Sequence, residues 1–227
     1  MNKTSASKWI RNFLCFLLAI LLLLSAVVYV VDPFMQFRAR DNAYFLEEWY
    51  VSGGLIKNYD YDTLILGSSV TQNFDMDTFR QELGVKPLHI GLGAMTPEEM
   101  AEFLNLAYDT GKADTYYLCV DLPVLNGDNE PSRTPEHLIK NDILSKFRYL
   151  LSYEVWFRYL PVDVAFVLLD KLGVELPAKF AYRKSIDKLA DWRLEFPYGG
   201  EEYVLYHHKT GDFQVSYVDT EAGVILG

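Results

Sequence analysis

The hydrophobic pattern begins with one unbroken apolar run and then breaks into short apolar segments separated by amphipathic ones. Residues 13–31 (FLCFLLAILLLLSAVVYVV) carry no charge. As a helix they rise about 28 Å, close to the thickness of a bilayer core. Lys3, Lys8 and Arg11 precede the run, so residues 1–12 are expected to stay cytoplasmic and the rest of the chain to face outward. The rival reading is a cleaved signal peptide. Leu24-Ser25-Ala26 is a poor small-x-small cleavage site and the run is longer than a usual signal core, so an uncleaved anchor over 13–31 is expected. Asp32-Pro33 should end it, because proline has no amide to donate. Residues 32–58 form an aromatic juxtamembrane segment with Phe34, Phe37, Tyr44, Phe45, Trp49 and Tyr50. Such rings suit either a membrane interface or a first helix under the domain.

From residue 59 the pattern alternates. Residues 61–66 (YDTLIL), 86–90 (KPLHI) and 115–120 (TYYLCV) are short apolar runs, each followed by glycine or polar residues, as for buried parallel strands. Between them lie two helical stretches. One covers residues 76–83 and stops at Gly84, with Asp75 or Asp77 as its cap. The other starts at Thr96-Pro97-Glu98-Glu99, a capping box with proline at the first position. In it Met100, Phe103, Leu104 and Ala107 define one apolar face, and Gly111 closes it. A β-α-β-α-β order implies an α/β fold, a parallel sheet with helices on its faces. Its ligands belong at the carboxyl ends of the strands. Gly67-Ser68-Ser69, Gly91-Leu92-Gly93 and Asp121 should therefore lie side by side.

Later the pattern changes. Residues 122–132 read as a polar loop, and Thr134-Pro135 opens a helix expected to run to about residue 152. Residues 153–172 are apolar but include Glu154, Arg158, Pro161 and Asp163. They are expected as a packed helix or one on the membrane surface, rather than a second span. Residues 202–219 read as a hairpin around Thr210-Gly211.

Charge and cysteine content narrow the function classes. Lys3, Lys8 and Arg11 are the only charges of residues 1–31, so the remainder holds 18 basic and 31 acidic residues, a formal charge of −13. Nucleic acid is not an expected partner of so acidic a body. Cys15 lies in the apolar run and cannot pair with Cys119, which reads as a buried strand residue. No metal site and no cofactor are expected.

Gly67-Ser68-Ser69, just after a strand, is the main candidate for chemistry. A serine there projects at the ligand edge of the sheet, and as a nucleophile it needs a base and oxyanion donors. The amide of Ser69 and one from Gly91 or Gly93 are the candidate donors. The bland alternative is a strand-to-helix turn of small residues. Gly-x-Ser-x-Gly is not met, because Thr71 holds the fifth position.

Residues 62–69 (DTLILGSS), followed by Thr71-Gln72-Asn73-Phe74, resemble the first block of SGNH (GDSL-type) hydrolases. More narrowly, they are similar to membrane-anchored bacterial proteins of that kind, some of which assist or perform O-acylation of cell-surface polysaccharides and teichoic acids. The resemblance covers roughly residues 1–125. It implies a flavodoxin-like three-layer fold over residues 59–227, with Ser69 as nucleophile. It also implies Gly91 or Gly93 in the oxyanion hole, and Asn73 and Asp121 toward substrate. The third block reads Val120-Asp121-Leu122 here instead of Gly-x-Asn-Asp. The family's fourth element, Asp-x-x-His, is not met by His89, His137, His207 or His208. His89 reads as a satisfied sheet residue, His137 as solvated in a first helical turn, and His207-His208 as pointing to opposite strand faces.

With three strands and no Asp-x-x-His, the chain is expected to be a fragment or to have lost its second half. Two functions follow from the resemblance. One is an anchored extracytoplasmic esterase or O-acyltransferase of acylated cell-surface glycans, inactive or weakly active without its histidine. The other is a non-catalytic module partnering a membrane O-acyltransferase.

Overall fold

The computed structural model describes residues 3–40, 48–74, 76–120, 132–174, 217–219 and 224–226. Helix α1 (Lys3–Val31) is followed by α2 (Glu48–Asn58), β1 (Thr63–Ser68), a 3-10 turn (Ser69–Asn73), α3 (Met76–Leu83), β2 (Pro87–Leu92), α4 (Pro97–Thr110) and β3 (Thr115–Leu118). Then come α5 (Glu136–Ile139), α6 (Ile143–Leu150), a π-helical turn (Val155–Tyr159), α7 (Leu160–Lys171), β4 (Tyr217–Asp219) and β5 (Val224–Leu226).

The expected α/β architecture is present. The three strands are parallel in the order β2-β1-β3, with β1 in the centre. Leu64, Leu66, Leu88, Ile90 and Leu92 share one core with Met100, Phe103 and Ala107 of α4 and Leu55 and Ile56 of α2. Period two sends Ile65 and Tyr117 to the other face, where Phe79 of α3 meets Tyr117 edge-on at 5.6 Å. β1 and β2 are shifted one or two residues beyond the apolar runs that announce them, whereas β3 starts where its run does and ends two residues earlier. β3 is partly exposed, because it lacks a described neighbour on its outer side, and Cys119 just beyond it is half-buried. The expected helix over 134–152 is broken at Lys140-Asn141, where Asp142 starts a new helix by accepting from the Ser145 amide at 2.9 Å. Of the expected hairpin over 202–219, only residues 217–219 are described, and they pair antiparallel with Val224–Leu226.

Helix α1 contains one stretch, Ser7–Val31, that is long and apolar enough to cross a membrane by length and composition. It ends at Asp32, which sits in the left-handed region at φ 47°. Asp enters that region more readily than most residues, and Pro33 cannot extend the helix.

The segment after α1 is clamped to the domain. The Asp32 carboxylate accepts from the amides of Gln36 at 2.8 Å, Phe37 at 2.9 Å and Arg38 at 3.2 Å. It also accepts from the Tyr149 hydroxyl at 3.0 Å, which itself accepts from the Phe34 amide at 3.2 Å. Asp32, Phe34 and Tyr149 are fully buried. Burial pushes the Asp32 carboxyl upward, against the pull of its donors, and burial prevails. Phe34 packs edge-on against Tyr50 and Tyr159 at 5.2 and 4.9 Å. Thus these aromatics serve the domain core as well as lying near the anchor. Arg40 adds an ion pair to buried Asp163 of α7 at 2.8 Å, and Lys57 donates to Gln36 Oε1 at 2.6 Å.

Two mid-helix glycines make this joint possible. A Cβ on Gly54 would lie 1.9 Å from the Phe34 carbonyl oxygen, and one on Gly53 would lie 2.3 Å from that of Leu138. Each glycine costs about 1 kcal/mol of helix propensity, and each admits a backbone that no side chain would allow.

Tyr149→Phe leaves the ring packed and removes only the hydroxyl. It is expected to destabilise the chain by about 1–2 kcal/mol, seen as a fall of roughly 3–6 °C in the apparent melting temperature in detergent. Asp32→Ala, which orphans every donor, should cost more. Unchanged melting in both would contradict the clamp.

Candidate functional site

The carboxyl ends of the three strands do lie side by side. Gly67 pairs with Gly91 and Ser68 with Leu92, and the Cys119 amide donates to the Leu66 carbonyl at 2.9 Å on the opposite flank. With β1 central, the chain leaves it toward β2 on one side and returns to β3 on the other, so Gly67-Ser68-Ser69 stands at the point where the winding reverses.

Local chemistry builds the turn that carries Ser69. Ser68 is buried and its Oγ accepts from the Val70 amide at 3.3 Å, capping the 3-10 turn. The Thr71 hydroxyl donates to the Ser68 carbonyl at 2.8 Å and meets His89 Nε2 at 2.9 Å. Ser69 itself is exposed. Gly67 is required by close approach, because a Cβ there would stand 2.5 Å from Thr71 Cγ2 and 2.8 Å from Cys119 Cβ.

The other predicted residues divide. Gly91 is buried inside β2, level with Gly67. Gly93 is exposed just beyond the strand, with open space where a Cβ would be. Asn73 ends the 3-10 turn. Asp121, His207 and His208 lie outside the described residues. His89 is fully buried in β2, with its Nε2 engaged by the Thr71 hydroxyl. His137 lies in the first turn of α5, as expected, but is half-buried rather than solvated. Its pKa is lowered by burial first and by Lys57 second. Asp77 is not a cap. It lies inside the first turn of α3, bonded to Arg80 at 2.8 Å. Among the described residues no group of His, Cys, Asp and Glu could hold a metal ion.

A clamp on the loop after β2 was not foreseen. The capping box forms as predicted, with the Thr96 amide 2.9 Å from Glu99 Oε2 and the Glu99 amide 3.2 Å from Thr96 Oγ1. Glu99 is also fully buried and receives the Arg133 guanidinium in a two-pronged pair, at 2.9 Å from Nε and 2.8 Å from Nη2. Arg133 stacks 3.6 Å over the Trp49 ring. Its remaining donors reach the carbonyls of Gly93 at 3.0 Å and Ala94 at 2.7 Å. Ala94 adopts φ 50°, a left-handed conformation that this pinning helps to hold. The one sequence signal was Glu99 itself, which its cap accounts for on its own.

Burial raises the Glu99 carboxyl, but Arg133 and the backbone donors outweigh it, and the net direction is downward. A carboxyl lowered on folding adds stability above its unfolded range, near pH 4.3, and loses it as the pH falls through the folded value. Glu99→Gln should therefore lower stability at pH 7 by about 2 kcal/mol, with the gap to the wild type closing below about pH 4. Melting curves across that range check this. A gap unchanged by pH would contradict the charge-assisted clamp.

No protein-family model, curated protein or solved structure matches this chain.

Proposed function

We propose that the chain is a membrane-anchored, extracytoplasmic SGNH-like esterase or O-acyltransferase acting on acylated cell-surface glycans, with Ser69 as nucleophile. The observation that carries this reading is the exposed Ser69 at the winding reversal, at the carboxyl end of the central strand. The order β2-β1-β3 also supports a flavodoxin-like three-layer fold as part of the same proposal. Ser69 Oγ attacks the acyl carbonyl, its hydroxyl proton passing to a base. The tetrahedral intermediate then breaks the ester C–O bond, the glycan hydroxyl leaves with that proton, and the acyl group stays on Ser69 until water or an acceptor hydroxyl takes it. The oxyanion that forms is met by the Ser69 amide and by Gly93, whose open surroundings suit it better than the buried Gly91. Arg133 positions the Gly93 loop through its carbonyls. The membrane is one partner, and polysaccharide or teichoic acid is the polymer class. Lys3, Lys8 and Arg11, ahead of the uncharged run within α1, support a cytoplasmic N-terminus.

A second reading has its own support. His89 is buried and bonded to Thr71, and His137 sits among Lys57, Arg148 and Glu154. Neither described histidine is arranged as a base for Ser69. That suits a non-catalytic module that binds glycan beside a membrane O-acyltransferase.

A fluorophosphonate probe applied to the full chain in membranes separates the two readings. The enzyme reading expects labelling that vanishes in Ser69→Ala and persists in Ser68→Ala. An unlabelled wild type that melts cooperatively contradicts it and favours the module, as does labelling that survives Ser69→Ala.

A further inference from the structure

We infer that the outer surface of α6, the π-helical turn and α7 lies in the interface of the same bilayer that α1 crosses, its partner being phospholipid. This rests on reading α1 as the membrane anchor. Along α1, Leu21, Leu24, Ser25, Val28 and Val31 are the residues shielded from solvent, at i, i+3, i+4, i+7 and i+10, and the other described side chains between residues 7 and 30 are exposed. The elements packed against α1 are α6, the π-helical turn and α7. They are therefore held beside its last three turns, about 15 Å of helix.

These elements turn apolar side chains outward. On α6, Ser145 and Tyr149 face the core, and Ile143 and Phe147 are 74% and 57% exposed. Ile143, Leu144, Phe147 and Leu151 fall within one arc of about 100°. Exposed apolar side chains recur beyond it, with Phe157 63% and Leu168 55% exposed, and Leu172, just past α7, 76% exposed. Soluble surfaces do not carry an apolar band of this kind without a partner.

The charges beside it select lipid. The chain as a whole has a net charge of −10, yet residues 143–172, which carry the band, hold Lys146, Arg148, Arg158 and Lys171 against Glu154, Asp163 and Asp170, and Asp163 is buried in its pair with Arg40. Arg148, which also pairs with Glu136 at 3.7 Å, and Arg158 are exposed on these elements. Glu154 accepts from the Tyr50 hydroxyl at 3.3 Å. An apolar face with a cationic edge lies flat at the headgroup boundary. Here the elements that carry it pack directly against α1, whose remaining side chains form an exposed apolar wall.

The test places the photoreactive residue p-benzoylphenylalanine singly at Phe16, Phe147, Phe157 or Tyr108 of the full chain in phosphatidylglycerol–phosphatidylethanolamine vesicles. All four positions are more than half exposed, so each tolerates the larger ring. After illumination, phospholipid adducts are read by mass. The inference expects adducts at Phe16, Phe147 and Phe157 and none at Tyr108 on α4. An adduct at Phe16 with none at Phe147 or at Phe157 overturns it and leaves the anchor intact. Cross-links from those two positions into the same chain or a second copy overturn it likewise, by naming another occupant. Absence of an adduct at Phe16 overturns the anchor and the inference together, and adducts at all four positions overturn the selectivity of the face.

Discussion

The donors that converge on the Asp32 carboxylate come from three consecutive amides beyond α1 and from Tyr149, 117 residues away in sequence. A buried carboxylate without such partners would cost several kcal/mol. With them, the end of the apolar helix, the segment that follows and α6 are bound into one unit. Phe34 and Met35 can then enter the core beside α2, and Gly54 lets the chain pass directly over the helix backbone. The position of α1 against the domain follows from this joint, and so does the setting of the apolar face of α6 and α7.

The sheet edge is built by a different economy. Ser68, Thr71 and His89 are all buried, and all serve the geometry of the 3-10 turn. Their internal bonding leaves Ser69 as the exposed hydroxyl of the pair of serines. On the neighbouring strand, Glu99 and Arg133 fix the backbone beyond β2, so that Gly93 is presented while Gly91 is not. Both devices use short-range hydrogen bonds to aim a small residue at the place where the winding reverses. That arrangement is common to ligand sites in open parallel sheets.

Features written in consecutive residues were legible in the sequence. The apolar run, the helix over 76–83, the capping box at Thr96 and the glycine stop at Gly111 depend only on neighbours, and each is found where the pattern puts it. Partners far apart left no local trace. Nothing near Asp32 announces Tyr149, and nothing near Glu99 announces Arg133. Gly53-Gly54 was a visible anomaly in a helix, but its meaning needs the Phe34 and Leu138 carbonyls that press on it. The break between α5 and α6 was missed because the apolar pattern runs through it, while the Asp142 cap decides it. The widened turn before α7 precedes Pro161, which has no amide to donate and whose ring crowds the preceding turn. Of the candidate site, the position of Ser69 and the neighbouring loops at the strand ends could be read from order alone, whereas the burial of Gly91 and the exposure of Gly93 could not.

Amide hydrogen exchange of the full chain in lipid vesicles tests the joint most directly. The account predicts that the amides of Gln36, Phe37 and Arg38, held by the Asp32 carboxylate, exchange as slowly as those of the central strand β1. Exchange at those amides at the rate of an unstructured linker would contradict it, because α1 would then be tethered to the domain rather than bonded into it.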